Sequence, residues 1–332
     1  MAENREVLYR ISDLKKHFVV KKSINKEKSK VLKAVDGVTL NIYKGEILGL
    51  VGESGCGKST LGRTLLKLYE PTSGELVFNK MDISNTKGGN LKSIRKEMQM
   101  IFQDPYASLN PRMTILDSVK EPLEVYKIGT EKERVQMAMD LLEYVGLGAS
   151  HIYKMPQDLS GGQRQRVVIA RAIILKPSFV VCDEPVSALD VSVRAQVLNL
   201  MKQIQKERNM SYLFISHDLS VVRYLCERIA VMYLGRIVEI ASKDELFNNP
   251  MHPYTKTLLS AIPIPDVDVK MDRIILEGDL PSPLNPPKGC SFHTRCPYAK
   301  EECSEQSEYL MEVAPEHYVA CHCCRELMER YD

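Results

Sequence analysis

The octet Gly52-Glu53-Ser54-Gly55-Cys56-Gly57-Lys58-Ser59 constrains this chain more than any other feature. It fits the GxxxxGK[ST] pattern of a phosphate loop, and its surroundings fit as well: residues 46–51 read as a short apolar strand, and a helix is predicted to begin at Lys58. Glycines allow a loop tight enough for backbone N–H groups to point at phosphate oxygens, and the helix start adds a favourable dipole. In that frame Lys58 is expected at the β- and γ-phosphates and Ser59 on Mg²⁺, with Thr60 following in the same turn. A glycine turn that merely matches the string is the bland alternative, and the strand, loop and helix context argues against it.

Further along, two short runs of β-branched and aromatic residues, 179–182 and 212–215, read as buried parallel strands, each entered from a helical stretch. In open parallel sheets the chemistry collects at strand carboxyl ends. Here those ends carry the phosphate loop, Asp183-Glu184 and Ser216-His217-Asp218, so three polar clusters are expected to converge. Asp183 is expected to hold Mg²⁺ and Glu184 to act as the general base on the attacking water. A helix cap would explain an isolated acidic pair equally well, but not one that accompanies a phosphate loop.

Alternation predicts strands at 7–20 and 31–42, with a basic hairpin loop at 21–30 between them. Helical spacing at 131–145 and 164–175, stopped by Gly146 and Pro177, reads as two surface helices. After residue 262 the texture becomes Pro-rich, with Pro263, Pro265, Pro281, Pro283, Pro286 and Pro287, which sets a boundary between a region at 6–262 and another at 263–332. At 332 residues, one large α/β domain plus an appendage is the expected size. Lys and Arg exceed Asp and Glu by only two, which gives no basic surface for nucleic acid. No apolar run is long enough to span a membrane, and residues 1–10 lack the layout of a secretion signal, so the nine cysteines are expected to be reduced.

Leu159-Ser160-Gly161-Gly162-Gln163 opens a helix with Ser160 at its cap and Arg164 and Arg166 just beyond, and it reads as a second anion site. This string resembles the ABC signature motif, and with the phosphate loop and the acidic strand end the chain is similar to the ATPase subunits of ABC transporters. Gln103 then resembles the Q-loop glutamine, Asp190 in Ser187-Ala188-Leu189-Asp190 the D-loop, His217 the switch histidine and Phe18 the aromatic residue that stacks on adenine. The resemblance implies an α/β fold with a parallel-sheet core, an antiparallel β subdomain and a helical subdomain. It also implies a head-to-tail dimer in which Ser160, Gly161, Gly162 and Gln163 serve the partner's nucleotide, while Gln103 and His217 sense the chain's own and Gln103 touches Mg²⁺.

Three further segments, DPYASLNPR at 104–112, NPMHPYT at 249–255 and LPSPLNPPKG at 280–289, resemble oligopeptide and dipeptide importers, most closely their second, F-type ATPase subunit. That likeness implies a paralogous D-type ATPase partner, two transmembrane permease subunits docked near 104–112, an extracytoplasmic peptide-binding protein and a position on the cytoplasmic face of the membrane. Importers of nickel, opines or sugars use similar ATPases and remain the alternative, with a non-transport ABC ATPase behind them; the chain shows no second phosphate loop and no sustained heptads. Cys290, Cys296, Cys303 and Cys321 lack the CxxC pairs of structural zinc sites. Reduced thiols, zinc and iron all stay open on spacing. Resemblance to the C-terminal region of some peptide-importer ATPases implies a [4Fe–4S] cluster on these four residues.

Overall fold

Short runs of fully buried apolar residues, each ended by glycine or by polar residues, form the inner strands of the protein. The computed structural model describes residues 5–21, 30–262, 274, 276, 278–307 and 309–324. Internal packing divides the chain into two compact units, one made of Met1–Glu6, Tyr43–Glu46 and Asn85–Phe214, the other of Val7–Ile42, Ile47–Ser84 and Ile215–Asp332.

The second of these, the phosphate-loop unit, begins with β1 (Val7–Lys21), β2 (Lys30–Tyr43), β3 (Ile47–Val51), α1 (Lys58–Leu65), β4 (Ser73–Phe78) and β5 (Met81–Asp82). One sheet of this unit has the order β2-β1-β4-β5, with β1–β4 and β4–β5 antiparallel, as expected for the β subdomain. Between the two passes of this unit lies the helical unit, with α2 (Gly88–Glu97), β6 (Met98–Ile101), α3 (Ile115–Val125), α4 (Glu131–Tyr144), α5 (Gly161–Ile173), β7 (Phe179–Asp183), α6 (Val191–Arg208) and β8 (Ser211–Ile215). Its strands run in the order β8-β7-β6, and β6 pairs with β7 in parallel, Met98 opposite Phe179 and Ile101 opposite Cys182. All five residues of β7 and of β8 are buried, which is why the sequence shows them as continuous apolar runs with no alternation.

The chain returns to the phosphate-loop unit with α7 (Leu219–Leu225), β9 (Arg228–Tyr233), β10 (Arg236–Ser242), α8 (Lys243–Asn248), α9 (Pro253–Ser260), β11 (Met311–Ala314) and β12 (His317–Val319). There the order is β11-β12-β10-β9-β3, with β3 and β9 parallel and the pairs from β9 to β11 antiparallel. The strands predicted at 7–20, 31–42, 46–51, 179–182 and 212–215 match β1, β2, β3, β7 and β8 to within one residue at each end. Residues 22–29, where a hairpin loop was expected, lie outside the described residues.

One expectation is corrected. The helix predicted at 164–175 is not a surface helix: in α5 the side chains of Val167, Val168, Ile169, Ala170, Ala172 and Ile173 are all buried, along with Gln165. Its apolar residues occupy more than one face, the composition of a helix enclosed by neighbours, here α3, α4, α6 and β6. By contrast α4 buries only Ala138, Leu141 and Leu142, so one stripe faces inward as predicted. Among the described residues no helix is long and apolar enough to cross a membrane.

A buried acidic side chain ties the last described strand to the sheet. Glu239 on β10 is fully buried; its Oε1 accepts from the Met251 N–H at 2.8 Å and lies 2.7 Å from His317 Nε2, and its Oε2 accepts from the His252 N–H at 3.0 Å. One carboxylate thus joins β10, the turn into α9 and β12. Truncating it strands two backbone donors and an imidazole away from water, which costs several kcal/mol. Glu239→Ala is therefore expected to lower unfolding stability by about 3 kcal/mol, read as a drop in the urea midpoint without loss of β-sheet signal in the folded baseline.

Candidate active site

The loop after β3 is shaped by close backbone approaches. Gly52 has φ +152° and Gly57 φ +110°; a Cβ on Gly52 would lie 2.1 Å from the Met232 carbonyl oxygen, and one on Gly57 2.1 Å from that of Ala34. No side chain fits at either place. Gly57 is also the N-cap of α1 and supplies no side-chain cap bond, so the start of this helix suits an anion. Gly55, at φ +80°, would meet nothing within 4 Å, and it and Ser54 form the exposed crest of the loop.

Lys58 is buried, and its Nζ donates to the carbonyl oxygens of Gly52 at 2.7 Å and Glu53 at 2.9 Å. An ammonium solvated by carbonyl dipoles at the base of a glycine cradle is well matched to a phosphate chain. Cys56 faces inward, and burial pushes its thiol up against the opposing pull of Lys58, so this residue serves the loop through its backbone and its packing. Phe18 on β1 packs edge-on against Tyr69 with centroids 5.5 Å apart, and the Lys16 ammonium sits 4.7 Å from its centroid. His217 is exposed at the turn where Asp218 caps α7.

In the helical unit, β7 delivers Asp183 buried and Glu184 at its rim. Glu184 adopts φ +47°, a left-handed conformation that costs about 1 kcal/mol in a residue with a side chain. Gln103 reaches it: its Nε2 donates to Glu184 Oε2 at 2.9 Å. The two residues predicted for water activation and sensing are therefore direct partners. Asp190 caps α6, accepting from the Val193 N–H at 3.0 Å and from Ser192 Oγ at 2.9 Å, and these bonds hold its exposed carboxyl below the usual carboxylate range.

Ser160 and Gln163 form a reciprocal cap at the start of α5. Ser160 Oγ accepts from the Gln163 N–H at 3.3 Å, and Gln163 Oε1 accepts from the Ser160 N–H at 3.0 Å. Gly162 must be glycine for packing, since a Cβ would lie 2.2 Å from Val193 Cγ1, whereas at Gly161 the nearest atom would be 3.6 Å away. Arg164 and Arg166, expected to favour an anion here, instead donate to the carbonyl oxygens of Pro156 and Val145, each at 2.7 Å. Arg166 also donates to Gln196 Oε1 at 3.2 Å, so both guanidinium groups are tied to neighbouring protein groups beside the start of α5.

The cysteine tail gathers on one small cavity of about 20 Å³, whose wall includes Cys290, Cys296, Cys303, Cys321 and Cys323 together with His252 and His293. Cys323, which the spacing argument left aside, belongs to this wall. Room for about one water is too little for an iron–sulfur cluster as the loops stand. Among the described residues no group of three or more His, Cys, Asp or Glu side chains is placed to hold a metal ion, and no cysteine forms a disulfide. The donor chemistry suits iron, while burial, followed by the neighbouring thiols, pushes the Cys321 thiol up to about 12.

Two residues that sequence reasoning missed touch the phosphate loop. The Tyr254 hydroxyl accepts from the Glu53 N–H at 2.8 Å, and Arg295 Nη1 lies 3.0 Å from Glu53 Oε2 and 3.3 Å from Oε1. No spacing rule marks either one; Tyr254 falls in the 249–255 segment, and Arg295 sits between two tail cysteines.

A glycine cradle closed by a lysine, an acidic strand end read by a glutamine, and a serine-capped glycine pair opening a helix together define an ATP-binding cassette ATPase. The profile of the ABC transporter family matches residues 35–187, and that of the oligopeptide/dipeptide transporter C-terminal region matches 238–303. The oligopeptide transport ATP-binding protein AppF of Bacillus subtilis is 53% identical over 324 residues, covering 97% of this chain and 98% of that protein. OppF of Salmonella typhimurium, an oligopeptide transport ATP-binding protein, is 50% identical over 325 residues, covering 96% and 97% respectively. A dimeric ATP-binding cassette in a post-hydrolysis state with ADP and phosphate matches at TM-score 0.63 and 29% identity, over 71% of this chain and 98% of that one. The chain belongs to the ATP-binding subunits of ABC transporters of the oligopeptide/dipeptide family, and its activity is ATP binding and hydrolysis.

Gly57→Ala should remove nucleotide binding, because a methyl group at 2.1 Å from a carbonyl forces the loop to move. The expected loss in MgATP affinity is at least about 100-fold, equivalent to roughly 2.7 kcal/mol, measured by titration with a fluorescent ATP analogue.

Proposed function

We propose that this subunit drives uptake of oligopeptides or dipeptides, working as one half of an ATPase pair on the cytoplasmic face of a membrane permease. The observation that carries this reading is the joining of a phosphate loop and a peptide-transporter C-terminal region in one chain, over nearly the full length of its peptide-transport relatives. Its expected partners are a paralogous D-type ATPase subunit, two permease subunits and, at one remove, an extracytoplasmic peptide-binding protein. The dimeric cassette with ADP and phosphate supports pairing as the working state. Exposed Phe102 and Tyr106, on either side of the well-bonded Asp104 turn, are suited to docking a permease at 104–112.

In the proposed reaction the loop N–H groups and Lys58 hold the triphosphate. Mg²⁺, held by Ser59 with Asp183 and Gln103, would neutralise charge on the phosphate oxygens. Glu184 takes a proton from the attacking water, and Gln103, bonded to its carboxylate, fixes the direction in which that base points. His217 is assigned with Gln103 to sensing the chain's own nucleotide and placing the water, Phe18 to adenine, and Asp190 to the D-loop. Ser160, Gly161, Gly162 and Gln163 face the γ-phosphate of the other subunit's nucleotide, where the N-terminus of α5 offers its donors.

For the tail, we place the [4Fe–4S] cluster at the thiol-walled cavity, on Cys290, Cys296, Cys303 and Cys321, with Cys323 as a fifth neighbour. Support comes from five thiols lining the wall of one cavity, and assembly requires the loops to part from their described positions. Its role is to fasten the tail, and no step of hydrolysis passes through it. Iron and sulfide near four each per chain after anaerobic purification are expected; a colourless protein with neither removes the cluster from the scheme.

Glu184→Gln tests the base. The amide keeps its shape and a bond to Gln103 but cannot accept a proton, so ATP should still bind while single-turnover hydrolysis in the assembled transporter falls by roughly 10²- to 10⁴-fold. Hydrolysis within twofold of the unmodified protein would assign the base elsewhere.

A further inference from the structure

We propose that Arg295 and Tyr254 are positioning residues for the phosphate loop, and that the C-terminal segment between Cys290 and Cys296 thereby sets the affinity for MgATP. Every polar group of Glu53, the second residue of the loop, is held. Its N–H goes to the Tyr254 hydroxyl at 2.8 Å, its carbonyl accepts from Lys58 Nζ at 2.9 Å, and its carboxylate meets Arg295 Nη1 at 3.0 Å. Arg295 is only 10% exposed at its side chain and Glu53 28%, so solvent screens this pair incompletely.

The holders are themselves locked. The Tyr254 ring packs on Tyr233 and Phe292 with centroids 4.7 Å and 5.4 Å apart, and the Tyr233 and Phe292 rings meet at 5.2 Å. The Arg295 backbone N–H donates to the Phe292 carbonyl at 3.0 Å, which ties the backbone that carries the guanidinium to the same buried cluster. A segment from the far end of the sequence is thus wedged against the loop through one aromatic stack and one ion pair. Phe292 and Arg295 lie within 290–296, so whatever fixes Cys290 and Cys296 at the cavity also fixes the reach of Arg295.

The sign of the effect follows from charge. Glu53 places a carboxylate beside a loop built to receive a polyanion, and like charges at close range repel. Arg295 neutralises that carboxylate through their ion pair. Without the guanidinium the carboxylate opposes the phosphates, and the penalty grows with the number of charges on the nucleotide. A role confined to stability would weaken all nucleotides alike. The inference rests on nucleotide binding by the loop and is independent of any cluster in the tail.

The test is a set of binding titrations on the full chain with fluorescent analogues of ATP, ADP and AMP, with Mg²⁺ present and thermal melting measured in parallel. Arg295→Ala is expected to weaken ATP binding by about tenfold, which is about 1.4 kcal/mol, ADP by less and AMP by least. Arg295→Lys should recover part of that loss by restoring charge without the fork. Tyr254→Phe, which keeps the ring stack, should weaken ATP by roughly threefold through loss of one hydrogen bond. Combining Arg295→Ala with Glu53→Gln should recover most of the ATP affinity, since the repelling charge is gone. Equal loss for all three nucleotides, or no recovery in the double variant, overturns the proposal. So does unchanged ATP affinity in both Arg295→Lys and Tyr254→Phe, the two variants least able to disturb folding. Failure of the unmodified chain to bind ATP would instead strike at the loop assignment itself.

Discussion

Contact between two backbones governs the nucleotide site. At Gly52 and Gly57 the loop passes so near the carbonyl oxygens of Met232 on β9 and Ala34 on β2 that a single methyl group would collide at 2.1 Å. Those strands act as a mould, and glycine is the only residue that lets the loop seat against it. Once seated, the loop runs into α1 without a capping side chain, and a helix start of that kind suits an anion. Lys58 then needs no carboxylate for company; two carbonyl oxygens hold it in place.

The helical unit answers with strain where the phosphate-loop unit uses space. β7 is buried along its whole length, so its last residue Asp183 is fixed, and the next residue turns into left-handed backbone to escape the sheet. That turn is unfavourable for Glu184 and is kept because it lifts a carboxylate to the rim, within reach of Gln103. An acid placed by strained backbone and aimed by an amide has little freedom to drift. That suits the general-base role proposed for it, which requires proton transfer along one direction.

Legibility in the sequence followed how local each constraint is. Strand ends, the loop, the α5 cap and the acidic pair are written in contiguous residues, and β1, β2, β3, β7 and β8 fell within one residue of their predicted ends. The burial of α5 was misjudged because Arg164, Arg166 and Arg171 look like a solvent face. In fact Arg164 and Arg166 reach out to carbonyl oxygens and Arg171 to Glu121, while the body of the helix stays enclosed. Snorkelling arginines mask a buried helix, and periodicity alone cannot detect it. The contacts of Arg295 and Tyr254 with Glu53 join residues more than 200 positions apart, and nothing local in the sequence encodes such a meeting.

The same distance explains why the tail is more than an appendage. A Pro-rich segment with little core of its own has to borrow stability, and it does so at two places: the Glu239 carboxylate that gathers His317 with the Met251 and His252 N–H groups, and the aromatic stack around Phe292. Both anchors lie in the phosphate-loop unit. Because the second anchor also carries Arg295, the free energy that fastens the tail and the free energy that shapes the loop share one set of contacts. A segment that binds only when the loop is correctly formed must, by the reciprocity of coupled equilibria, favour the correctly formed loop in return. The thiol cavity shares that segment, since Cys290, Phe292 and Cys296 line it and Arg295 stands between them.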